Sequence, residues 1–126
     1  MKGIVLFGHG ARSPEWARPF HAIQDALRAR SPQTPVALGF LEIMRPTLDE
    51  AIADLVGRGA THIVVVPIFL STGSHIAKDL PLLVASAMDR NPGTSIDIAL
   101  PAGQASSVID AMAIYALNPT LNDWQE

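Results

Sequence analysis

The sequence predicts an α/β protein: one parallel sheet with helices on both faces. Three observations carry this. Residues 4–7 and 63–66 are continuous apolar runs, the mark of strands buried on both sides. Stretches with apolar residues at helical spacing lie between such runs. The order is strand then helix, four times over, and parallel neighbours need such crossovers.

The first strand, residues 4–7, is closed by Gly8. Ser13-Pro14-Glu15 opens the first helix, with a hydroxyl N-cap, proline in the first turn and an acid near the positive helix end. Trp16, Phe20, Ile23 and Leu27 follow at helical spacing, and Ser31-Pro32 ends it. Residues 36–41 read as the second strand. Pro46 starts the second helix, with Leu48, Ile52, Leu55 and Val56 on one face and Gly57 and Gly59 as the stop. Residues 63–66 are the third strand. A long turn, PIFLSTGSHIAKDLP, leads into a third helix with Leu83, Val84, Ala87 and Met88 inward, ending near Asn91-Pro92-Gly93. Ile96, Ile98 and Leu100 alternate with polar or small residues, which puts the fourth strand at a half-exposed edge. A fourth helix covers about 104–117. In the tail NPTLNDWQE, Trp124 suggests a docked segment.

The 126 residues are expected to form a single domain, 1–126, and 48% hydrophobic against 17% charged composition excludes a mostly disordered chain. A net charge of −3 with no Lys/Arg run argues against nucleic-acid partners. The absence of cysteine excludes disulfides, thiolate metal sites and a cysteine nucleophile. The N-terminal apolar run is too short for a signal peptide or a membrane span, so a cytoplasmic location without membrane association is expected.

In such sheets ligands bind outside the carboxyl ends of the strands. His9 follows the first strand, Glu42 the second, and Ser71, Thr72, Gly73, Ser74 and His75 the third; Pro101-Ala102-Gly103-Gln104 follows the fourth. Two imidazoles and a carboxylate on one edge suit a borderline divalent metal. Arg12, Arg45 and Lys78 flank that edge; singly each reads as a solvated charge, together they are candidates to meet an acidic ligand. His21 reads as a helix-surface residue and His62, at the amino end of the third strand, as structural. Asp79 either caps the third helix or orients a histidine.

GHGARSPEW, GFLEIMRPTLDEAI and VVVPIFLSTGSHIAKDLP together resemble the small single-domain sirohydrochlorin chelatases, the class II tetrapyrrole chelatases. The resemblance runs from Ile4 to about Pro81 and more weakly to Leu100. It implies a flavodoxin-like, chelatase-type three-layer fold with a four-stranded parallel sheet. It implies insertion of Co²⁺, Fe²⁺ or, in some relatives, Ni²⁺ into sirohydrochlorin, the metal being a substrate and no organic cofactor being needed. Larger members carry two such domains around a cleft, so similarity to the short type implies a homodimer. The family's two metal-binding motif histidines map onto His9 and His75, and the acid of its FLE segment onto Glu42. Many relatives have a Leu-Gly-x-His-Pro segment after the fourth strand. Here Leu100-Pro101-Ala102-Gly103-Gln104-Ala105 stands there, without a third histidine.

Insertion exchanges a divalent ion for two pyrrole N–H protons. Imidazole, with an ordinary pKa of roughly 6.5, is largely a free ligand at neutral pH. On this reading His9 and His75 hold the metal, Glu42 assists it or takes protons, and Arg12, Arg45, Lys78 and the Ser71, Thr72, Gly73, Ser74 loop receive the substrate's carboxylates. Phe69, Leu70 and Met44 are candidates for the ring face, with core packing the alternative for Phe69. The sequence leaves two rivals. One is a non-catalytic carrier of metal or tetrapyrrole, or a partner subunit. The other is a histidine-phosphatase-like enzyme, which expects arginine where Gly8 stands.

Overall fold

The structure, a computed structural model, describes residues 1–123; the expectation for Trp124 lies outside them. The strands are β1 (Lys2–Gly8), β2 (Val36–Phe40), β3 (His62–Pro67) and β4 (Ser95–Ile98). The helices are α1 (Arg18–Arg30), α2 (Leu48–Gly57), α3 (Ser74–Arg90) and α4 (Ser106–Leu117), with short 3-10 turns at Pro14–Ala17 and Ala102–Gln104. All strand pairs are parallel and the order is β2-β1-β3-β4, the doubly wound α/β architecture the sequence predicts.

β1 is central and packs on both faces. Val5, Phe7, Ile63 and Val65 join Ile52 and Leu55 of α2 and Leu80, Val84 and Ala87 of α3 in one core layer. Leu6, Val36, Leu38 and Phe40 join Ala17 and Phe20 in the other. β4, at the edge, has one buried residue, Ile96. There the His62 and Asp97 side chains meet at 2.7 Å, the structural role expected for His62.

Helix starts differ from the sequence reading. Ser13 makes no side-chain cap bond, and residues 14–17 form a 3-10 turn. The cause is a second proline: Pro19 has no N–H to return to the Glu15 carbonyl, so the α-helix begins at Arg18. α2 starts after Pro46, at Leu48. Thr47 accepts from the Glu50 N–H at 3.2 Å while Glu50 Oε1 accepts from the Thr47 N–H at 2.9 Å, a reciprocal capping box.

The largest departure is α3. It starts at Ser74 and runs through Pro81, where a long turn was expected. Leu80, Val84 and Ala87 pin the turns on both sides of the proline to the core, and that burial outweighs the missing N–H. Leu83, expected inward, is 40% exposed because Leu80 and Val84 occupy that face.

Glu50 also accepts two hydrogen bonds from the Arg45 guanidinium. Arg45 first, then the Thr47 N–H, lowers its carboxyl from an ordinary 4.5 to about 2. A depressed folded-state pKa means stabilisation that is complete above the unfolded value and lost as pH falls through the folded one. The melting temperature is therefore expected to drop between pH 4.5 and 2, and Glu50→Gln to flatten part of that drop. Melts followed by circular dichroism across this range check it.

Candidate active site

The strand register itself brings His9 beside Glu42. Gly8 pairs with Phe40 at the end of the β1–β2 ladder. The pairing then continues past both strands: the Leu41 N–H donates to the Gly8 carbonyl at 2.9 Å and the Glu42 N–H to the His9 carbonyl at 3.2 Å. Two glycines make this possible. A Cβ on Gly8 would stand 2.5 Å from the Phe20 ring. Gly10 has φ +102°, and a Cβ there would stand 1.9 Å from the Glu42 carbonyl oxygen.

The imidazole of His9 is half exposed, with Nε2 3.5 Å from Glu42 Oε1. Its Nδ1 lies 3.3 Å from the Gly10 carbonyl oxygen, which can only accept. With Nδ1–H donating there, Nε2 presents a lone pair to a carboxylate oxygen. Two acceptors face each other, and only a cation, a proton or a metal ion, makes that pair attractive. Two donors each about 2.1 Å from a tetrahedral ion stand about 3.4 Å apart. The observed gap fits an ion between them.

His75 lies in the first turn of α3, 86% exposed, and its Nε2 is 3.1 Å from Asp79 Oδ2 one turn on. The carboxylate accepts from Nε2–H and leaves Nδ1 free, the arrangement by which carboxylates orient ligating histidines. Asp79 is thus a histidine-orienting residue. The early start of α3 is what sets its spacing to His75. Among the described residues no group of three or more His, Asp or Glu converges on one point. His9–Glu42 and His75–Asp79 are two separate pairs on one edge.

Arg12 and Lys78 are exposed and make no ion pair among the described residues. Arg45 is engaged by Glu50. Gly73 is the N-cap of α3, Ser74 its first residue, Ser71 is exposed and Thr72 half-buried. Phe69 stacks edge-on against the buried Phe7, with centroids 5.9 Å apart, which answers for core packing. Leu70 is 69% exposed. Met44 packs into the α1 core layer, and His21 is exposed on α1. The segment after β4 contributes backbone: the Gly103 N–H donates to the Phe69 carbonyl at 2.8 Å, and a Cβ on Gly103 would stand 2.2 Å from the Leu70 carbonyl oxygen.

Fold and edge together define a doubly wound α/β protein that sets imidazole beside carboxylate at the carboxyl edge of its sheet. The chain belongs to the CbiX family, whose model matches residues 3–116. The sirohydrochlorin cobaltochelatase of Saccharolobus solfataricus is 34% identical to it over 97% of this chain and 98% of that protein. The one from Methanosarcina acetivorans is 42% identical over 79 residues, 63% of this chain and 61% of the relative's length. The sirohydrochlorin chelatase SirB of Bacillus subtilis subspecies spizizenii, solved in complex with cobalt, superposes with a TM-score of 0.77 at 31% identity. The match takes 94% of this chain and 50% of SirB, which spans about twice the length.

A methyl group at position 10 must displace the Glu42 carbonyl. A misplacement of about 1 Å costs on the order of 10²-fold in rate, so Gly10→Ala is expected to lose about that much activity while keeping its far-UV spectrum.

Proposed function

We infer that this chain inserts a divalent metal ion, cobalt foremost, into sirohydrochlorin. The observation that carries this reading is His9 Nε2 facing Glu42 Oε1 across 3.5 Å, a gap suited to a cation. His9 and Glu42 hold the incoming ion, and His75, oriented by Asp79, is the second imidazole donor. So few protein donors leave coordination positions open to the macrocycle nitrogens, where a closed four-ligand site would not. As the ion enters the ring, two N–H protons leave, and Glu42 and the imidazoles are the bases within reach of that edge. Arg12 and Lys78 are the free cations for the substrate's carboxylates. Arg45 serves only by leaving Glu50.

The test is anaerobic: catalytic protein, excess sirohydrochlorin and Co²⁺, with absorbance followed against a protein-free control. Many turnovers per chain are expected, falling on the order of 10²-fold in His9→Ala and in His75→Ala. At most one equivalent of product would point to a carrier instead.

We further propose that the working form is a homodimer. α4 supports this. Apart from Asp110 it carries no charge, and none of its residues is buried. Ile114 is 69% and Leu117 87% exposed. A helix apolar on every side is one built to be covered. Beneath it an apolar cavity of about 470 Å³ opens between Ile4, Leu6, Ile23, Val66 and Met112. Sedimentation at micromolar concentration is expected to give a dimer, and Ile114→Asp combined with Leu117→Asp a monomer.

A further inference from the structure

The loop that carries Glu42 holds a residue that neither folding nor solubility explains. Ile43 has φ +74°, the only non-glycine residue with positive φ among those described. Its neighbours close around it: the Met44 N–H donates to the Glu42 carbonyl at 2.8 Å. This is a γ-turn with positive φ at its centre, the rarer and more strained of the two γ-turn forms. Glycine or asparagine would hold the turn at lower cost; a β-branched side chain is the least suited to it. Burial does not compensate, because Ile43 is 62% exposed. It is next in sequence to Glu42 and close to the Gly10 contact. Leu70, 69% exposed on the loop after β3, is a second uncovered apolar side chain of the same edge.

We propose that Ile43 is a substrate-contacting residue that packs against the apolar face of the macrocycle beside the His9–Glu42 pair. The γ-turn fixes the Glu42 carbonyl against Gly10, and with it the side chain toward His9. The same turn places the next side chain in solvent. A large flat ligand with carboxylates at its rim and an apolar face covers such a side chain on binding. Ligand contact explains why isoleucine stands where glycine would strain less. This inference rests on the chelatase reading.

The test uses the whole chain and two readouts, melting temperature and spectroscopic titration with metal-free sirohydrochlorin. Ile43→Asn keeps a residue that tolerates positive φ and removes the apolar surface; Ile43→Val keeps the apolar surface and the strain. Ile43→Asn is expected to melt at or above the parent temperature and to weaken sirohydrochlorin binding about tenfold, or about 1.4 kcal/mol. KM for the macrocycle should rise in step, with kcat and the KM for Co²⁺ within about twofold of the parent. Ile43→Val should bind like the parent. Parental binding by Ile43→Asn, or a lowered melting temperature with binding intact, overturns the proposal while leaving the chelatase reading in place. A parent chain that does not bind sirohydrochlorin overturns both.

Discussion

The His9–Glu42 pair at the heart of the candidate site hangs on the register of β1 against β2. Parallel hydrogen bonding between these strands does not stop where they end. It carries two residues further, through Leu41 to Gly8 and Glu42 to His9, and so sets an imidazole beside a carboxylate with no long-range side-chain packing to arrange. β1 is held from the other side by β3 over six residue pairs and is buried on both faces. A slip of one residue would turn Phe7 and Leu6 to the wrong layers, so the core enforces the register that the site uses.

The proposed function gives the candidate site the task of a transfer station. Each imidazole has one nitrogen tied down, His9 Nδ1 to the Gly10 carbonyl and His75 Nε2 to Asp79, while the second His9 nitrogen faces Glu42. The two pairs do not close on a shared point among the described residues. A permanently bound structural metal would call for a fuller, closed ligand set. On the proposed reading the metal must be passed to four ring nitrogens, and few protein donors suit that task.

The sheet, its direction and the residues gathered at its carboxyl edge were legible because the apolar runs and the residues after them are short-range signals. His9, Glu42 and His75 could be placed on one edge from order alone. Their partners could not. Asp79 faces His75 only because α3 starts at Ser74, and Gly73 and Pro81 concealed that start. The signal was present in Ile76, Leu80, Val84 and Ala87, whose helical spacing runs straight across the proline. The capping box was equally readable as Thr47-Leu48-Asp49-Glu50, yet Pro46 drew the boundary too early. Pro19 undid the first helix start in the same way. The strain at Ile43 has no sequence signature, since isoleucine is the residue one least expects with positive φ.

Glu50 serves two neighbours at once, the Thr47 N–H and the Arg45 guanidinium. A ligand carboxylate that captured Arg45 would give it one anion in place of another. Glu50 would keep its backbone partner, and α2 would keep its cap. On the proposed reading, Arg45 is a latch whose catch is anchored elsewhere: it exchanges Glu50 for a ligand carboxylate while the Thr47–Glu50 capping box of α2 stays closed.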